Sequence, residues 1–276
     1  MSDNNAKSNH DKYILYFTIP IVILMVICSS IGIWYQKLYS RETVGWLSQV
    51  IGQDISNLIF IAPILIVSAF YAAKGNKIAK IIWIGTMITN VYSYVIYSFA
   101  LHFNVLFHVY CFILALSIFS VLNFFIKNVN ENFRSWFTEK APTKTIGIFL
   151  FIIGIMFTLL WLSDSLPAVL TNTVPESITK DNLLINPVQA LDFSFYLPLI
   201  FVSSVMVIKK KVLGYLLAPM MLVFAIITNV NIISLTVVTM QKTLSNNIPM
   251  IIAFSILTVI FLGVLWLFLK NISESF

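Results

Sequence analysis

Along the sequence, apolar runs of helix length alternate with short polar breaks at 36–52, 74–76, 102–104, 127–144, 163–185, 209–211 and around Asn246. A bilayer core of roughly 30 Å takes about 20 apolar residues in a helix, so each run is long enough to cross. The pattern predicts an all-α polytopic membrane protein of eight transmembrane helices. They are expected over Lys12 to about Tyr35, Gln53 to Ala73, Lys77 to Leu101, Val105 to Ile126, Thr145 to Leu162, Pro187 to Lys209, Val212 to Met240 and Ile248 to Leu269. The first run has no small-residue cleavage site after it and reads as a retained helix, not a signal peptide.

Two of the runs are alike. With Pro63 laid on Pro198, Ser68 falls on Ser203, Val67 on Val202 and Phe60 on Phe195, while Asp54 meets Gln189 and Asn57 meets Asp192. Each copy starts with an amide and a carboxylate and has a proline near its middle. A second echo places Ile88, Thr89, Asn90 and Val91 on Ile227, Thr228, Asn229 and Val230. The polar stretch 127–144 lies between them, so the expected organisation is a tail (1–11), a first four-helix half (12–126), a cytoplasmic linker (127–144), a second half (145–270) and a tail (271–276). Four crossings per half give both halves the same orientation, which makes the expected repeat parallel.

Composition narrows the class. Hydrophobic residues make up 59% of the chain and charged ones 10%, with a mean hydropathy of +0.92; soluble domains carry about 25% charged residues. The net charge of +6 would suggest nucleic acid in a soluble protein, but here the basic residues sit in the breaks, where they orient the chain and bind no nucleic acid. One set of breaks and tails collects Lys7, Lys12, Lys74, Lys77, Lys80, Lys127, Arg134, Lys140, Lys144, Lys209, Lys210, Lys211 and Lys270. The other holds only Lys37, Arg41, Lys180 and Lys242. The positive-inside rule then puts both termini in the cytoplasm of a bacterial plasma membrane. Cys28 and Cys111 stand in no metal or disulfide pattern, and no cofactor or metal is expected.

The candidate chemistry sits in the paired segments. Asn186, Pro187 and Gln189 read as a helix cap, first-turn proline and capping-box partner. Asp192 then lies about 7 Å and Pro198 about 16 Å into the helix at 1.5 Å per residue. Pro63 and Pro198 are expected helix breaks, freeing the carbonyls of Ile59 and Ser194. An intramembrane carboxylate should face the bundle, with Tyr196, Asn57 and Asp54 as the expected partners of Asp192. Asp54, Asn57, Gln189 and Asp192 together would line an outward-facing cleft. His102 and His108 flank the turn after the third run, on the same side as the acids. Tyr92, Tyr94 and Tyr97 read as interfacial anchors or inter-helix hydrogen bonds, and Thr228, Asn231 and Ser234, three apart, as an inter-helix face.

Trp83, Gly85, Tyr92, Tyr94, Tyr97, Asn104 and Phe107, then Asn186, Pro187, Leu191, Asp192, Leu197, Pro198 and Gly214, form two blocks. In them the chain resembles a family of uncharacterised multi-pass bacterial membrane proteins. The resemblance covers about half the chain and implies no activity. The function expected from the residues is handling of a small solute or ion by a transporter or sensor. The alternatives are a membrane-embedded enzyme acting on a lipid-linked group, with Asp192, Asp54, His102 and His108 as acids, bases or ligands, and an accessory or immunity-type subunit that meets a membrane partner through 163–185.

Overall fold

The computed structural model describes residues 11–273. Eight long helices follow one another: α1 (Tyr13–Trp34), α2 (Val44–Ala72), α3 (Lys77–Phe99), α4 (Phe107–Lys127), α5 (Thr143–Thr171), α6 (Pro187–Ile208), α7 (Gly214–Thr243) and α8 (Ile248–Leu269). All except α3 are long and apolar enough to cross a membrane, seven helices among the described residues. The chain is therefore an all-α, multi-pass membrane protein. The tail expected over residues 1–11 lies outside the described residues except for Asp11, which forms an ion pair with Lys80 at 2.7 Å.

Three expected boundaries move. α2 starts at Val44 and not at Gln53, because Thr43 caps it by accepting the Trp46 N–H on its hydroxyl. Trp46 is therefore a buried helical residue and not part of a connector. α5 runs on through 163–171, and its polar residues stay helical by turning their hydroxyls onto the preceding turn: Ser163 Oγ donates to Leu160 O and Ser165 Oγ to Trp161 O. What is left of the loop expected over 163–185 is 172–186, pinned to the start of α2 by Thr43 Oγ1 and Gln49 Nε2, which both donate to Asp181. α7 likewise continues to Thr243, with Thr239 and Thr243 hydroxyls bonded to the carbonyls of Leu235 and Thr239.

The expected linker meets the described start of the expected C-terminal tail, residues 271–273. Phe137 and Ile272 form an antiparallel bridge, with Thr138 N–H donating to Asn271 O and Ser273 N–H to Trp136 O, each at 2.8 Å.

α3 and α7 occupy the middle of the bundle. α3 packs on α2, α4 and α7, and α7 on α2, α3, α6 and α8. Small residues let the backbones close in, as lipid offers no hydrophobic incentive for helices to associate. A Cβ on Gly52 would fall 2.5 Å from Leu235 Cα, and one on Gly85 would fall 2.6 Å from Val223 Cβ. Two residues of the face expected on α7 make inter-helix bonds: Ser234 Oγ donates to Gly52 O at 2.7 Å, and Asn231 Oδ1 accepts from Ser56 Oγ; the third, Thr228, has a buried hydroxyl with no hydrogen-bond partner among the described residues.

Candidate functional site

Neither proline breaks its helix. Ahead of each, the helix widens into a π turn, at Asn57–Ile61 in α2 and Asp192–Tyr196 in α6. In the first, Ala62 N–H donates to Asn57 O; in the second, Leu197 N–H donates to Asp192 O. The expectation of a break is corrected for a steric reason. A proline ring collides with the carbonyl four residues back, and one extra residue in the turn moves that carbonyl aside. Asn186 caps α6 as expected, accepting from the N–H groups of Val188 and Gln189. Gln189 does not complete a capping box, since its Nε2 donates to Trp161 O across the α5–α6 contact.

Around Asp54 the helices α1, α2, α3 and α4 build a closed cluster. Tyr97 OH donates to one carboxylate oxygen at 2.7 Å, and Tyr39 OH, from the 3₁₀ turn Gln36–Tyr39, donates to the other at 2.8 Å. Tyr110 OH lies 3.3 Å from Tyr39 OH; with the Tyr39 proton given to Asp54, Tyr110 is the donor there. Burial first, then the neighbouring Asp54 and Tyr110, push the Tyr39 phenol far above its ordinary range, so it keeps the proton it donates. Asn57 joins from the next turn, its Nδ2 donating to Ser29 Oγ and its Oδ1 accepting from Gln53 Nε2. Tyr94 stacks on Tyr97 with ring centroids 5.2 Å apart. Gly32 closes the α1 side: a Cβ there would lie 2.0 Å from Asp54 Oδ2.

Asp192 sits in a smaller, more open cluster of α3, α5 and α6. Tyr92 OH donates to Oδ1 at 2.9 Å and Trp161 Nε1 to Oδ2 at 2.6 Å. Tyr92 OH also lies 3.2 Å from Val188 O. Of the expected partners, Asn57 and Asp54 belong to the other cluster, while Tyr196 lies within the field of the Asp192 carboxylate without a hydrogen bond to it, its ring stacked on Phe224 at 4.9 Å. Among the described residues, neither carboxylate pairs with a Lys, Arg or His.

Asp54, Asn57, Gln189 and Asp192 thus do not share one cleft. They fall into two hydrogen-bonded clusters, joined by α3, which gives a tyrosine to each. His102 stays apart from both, bonding Glu42 through Nδ1 at 2.9 Å and through its backbone N–H at 2.8 Å. His108 is exposed beside Phe107. No group of three or more His, Cys, Asp or Glu among the described residues is arranged to hold a metal ion. Tyr39, Tyr110, Ser29, Gly32 and Trp161 were not expected at the site. Their signal was a polar-tipped aromatic or a small residue near a span end, which many membrane helices share. No family model, curated protein or solved structure matches the chain.

Proposed function

We propose that this protein spans a bacterial plasma membrane eight times, α3 included, with both termini cytoplasmic, and that it moves or senses a proton or small solute through its two carboxylate clusters. The observation that carries this reading is a pair of carboxylates, 1% and 8% exposed, held between helices by phenol and indole donors with no cationic partner among the described residues. Buried ionisable groups in a membrane bundle are costly and concentrate where ions or protons pass. π turns inserted in α-helices also gather at functional sites, and one begins at Asp192 while the other begins one turn beyond Asp54.

A proton suits Asp54 better than a metal ion. Both of its oxygens already accept phenol protons, so a cation would have to displace a phenol, whereas a proton needs only a remaining lone pair. The inclusion of α3 rests on its place between the two clusters, where its polar residues Thr89, Asn90 and Ser93 are buried against its neighbours.

The parallel four-plus-four repeat is part of the same reading. The two π turns are supporting marks, since they fall at matching positions ahead of Pro63 and Pro198. The contacts between halves echo each other too. In the register of the second echo Tyr92 corresponds to Asn231; Tyr92 reaches Asp192 on α6, and Asn231 meets Ser56, next to Asn57, on α2.

The experiment is proton flux into vesicles holding the purified protein and an internal pH dye, after a pH step. Flux above protein-free vesicles, reduced at least tenfold in Asp54→Asn and abolished in its pH dependence by Asp192→Asn, is the expected result. Flux identical in wild type and both variants would sink the proposal.

A further inference from the structure

Between the halves, at the end of the bundle where α2 and α6 begin, lies a cavity of about 50 Å³. Its wall includes Trp46 and Gln53 of α2, Ser93 and Tyr97 of α3, Val188 of α6 and Leu235 of α7. A buried water needs about 10–15 Å³ of such space, so there is room for a molecule of a few heavy atoms.

The chemistry of the wall selects the occupant. None of the lining residues is charged, and most are apolar, which disfavours an ion. Trp46 is 5% exposed, and its indole N–H has no hydrogen-bond partner among the described residues. Buried donors are almost always paired, so this one is a donor waiting for an acceptor. Ser93 adds a hydroxyl to the wall. Gln53 gives its Nε2 to Asn57, and its amide oxygen is the acceptor that bond leaves over.

We propose that this cavity binds a small neutral molecule bearing an amide or hydroxyl group, whose oxygen accepts from Trp46 Nε1. The proposal deepens the functional reading above and rests on it in one respect: Tyr97, part of the wall, is the phenol that donates to Asp54. A molecule seated here touches the group that orients the buried carboxylate, and linkage makes any effect of one on the other reciprocal.

The test uses propionamide as the probe and propionate as its charged counterpart, with the full-length protein in lipid nanodiscs and binding read by saturation-transfer NMR against empty nanodiscs. Propionamide is expected to give a saturable signal and propionate none. Trp46→Phe keeps the ring and removes the donor, and should weaken propionamide binding several-fold, up to about tenfold. Leu235→Phe fills the cavity and should abolish binding; Trp46→Phe decides the matter if that variant does not fold. No saturable propionamide signal, equal affinity in Trp46→Phe, or propionate binding as strong would overturn the proposal. The assay has no gradient, so it separates the two readings. Absent binding with proton flux still lost in Asp54→Asn refutes the cavity site alone, and intact binding without proton flux refutes the transport reading alone.

Discussion

The Asp54 and Asp192 clusters use one backbone device with its chemistry exchanged. In α2 the acid precedes the π turn and the amide, Asn57, opens it; in α6 the amide, Gln189, precedes the turn and the acid opens it. One turn of helix thus decides how deeply the carboxylate is enclosed. Asp54 lies where α1, the 3₁₀ turn and α4 all reach it, and both of its oxygens take phenol protons; without it Tyr39 could turn only to Tyr110 OH at 3.3 Å, which then strands the Tyr110 proton in its place. Asp192 faces α5, takes one phenol and one indole, and its phenol has the carbonyl of Val188 within reach. Two carboxylates beside the same kind of π turn can therefore differ in how much of the fold depends on them.

The largest expected difference comes from removing the acids. Asp54→Ala strands two buried phenols, at about 1–3 kcal/mol for each unpaired donor, and should lower stability by about 2–6 kcal/mol. Asp192→Ala strands only the Trp161 N–H, because Tyr92 can turn to Val188 O, and should cost about 1–3 kcal/mol. Thermal unfolding in detergent measures both, and equal losses would break the comparison. Next is Gly32→Ala, whose methyl group would press on Asp54 Oδ2 and on Tyr39 OH, 2.6 Å away. Overpacking of this kind costs about 1–3 kcal/mol, and a melting temperature unchanged from wild type would show that α1 yields more easily than the packing suggests. Smallest is the pair of tyrosine truncations: Tyr97→Phe leaves Asp54 with a single phenol and should cost about 1–2 kcal/mol, whereas Tyr92→Phe should cost about 0.5–1 kcal/mol. A larger loss for Tyr92→Phe would mean that α3 is anchored chiefly to α6.

Much of the fold was legible because lipid enforces it. Every span needs a run of apolar residues, and the runs place the helices to within a turn, apart from the ends of α2, α5 and α7. Those ends were misplaced because Ser and Thr read as loop residues in water, whereas near a membrane their hydroxyls bond back to the preceding turn and prolong the helix. The paired segments were legible too, as were the acids and amides at their starts. Their partners were not: Tyr39 stands in a short connector and Trp161 near the end of a span, and nothing local distinguishes either from an interfacial anchor.

What the sequence determined by itself is the set of apolar runs, the places where prolines disturb them, and the carboxylates the membrane must shelter, since each follows from the composition of a short stretch. Tertiary structure decided that the prolines widen their helices without breaking them. It also decided that the acids occupy two clusters and not one cleft, because those outcomes depend on which neighbour comes within about 3 Å of each oxygen. That distance is set by the packing of α3 and α7 between the halves, which no single run encodes.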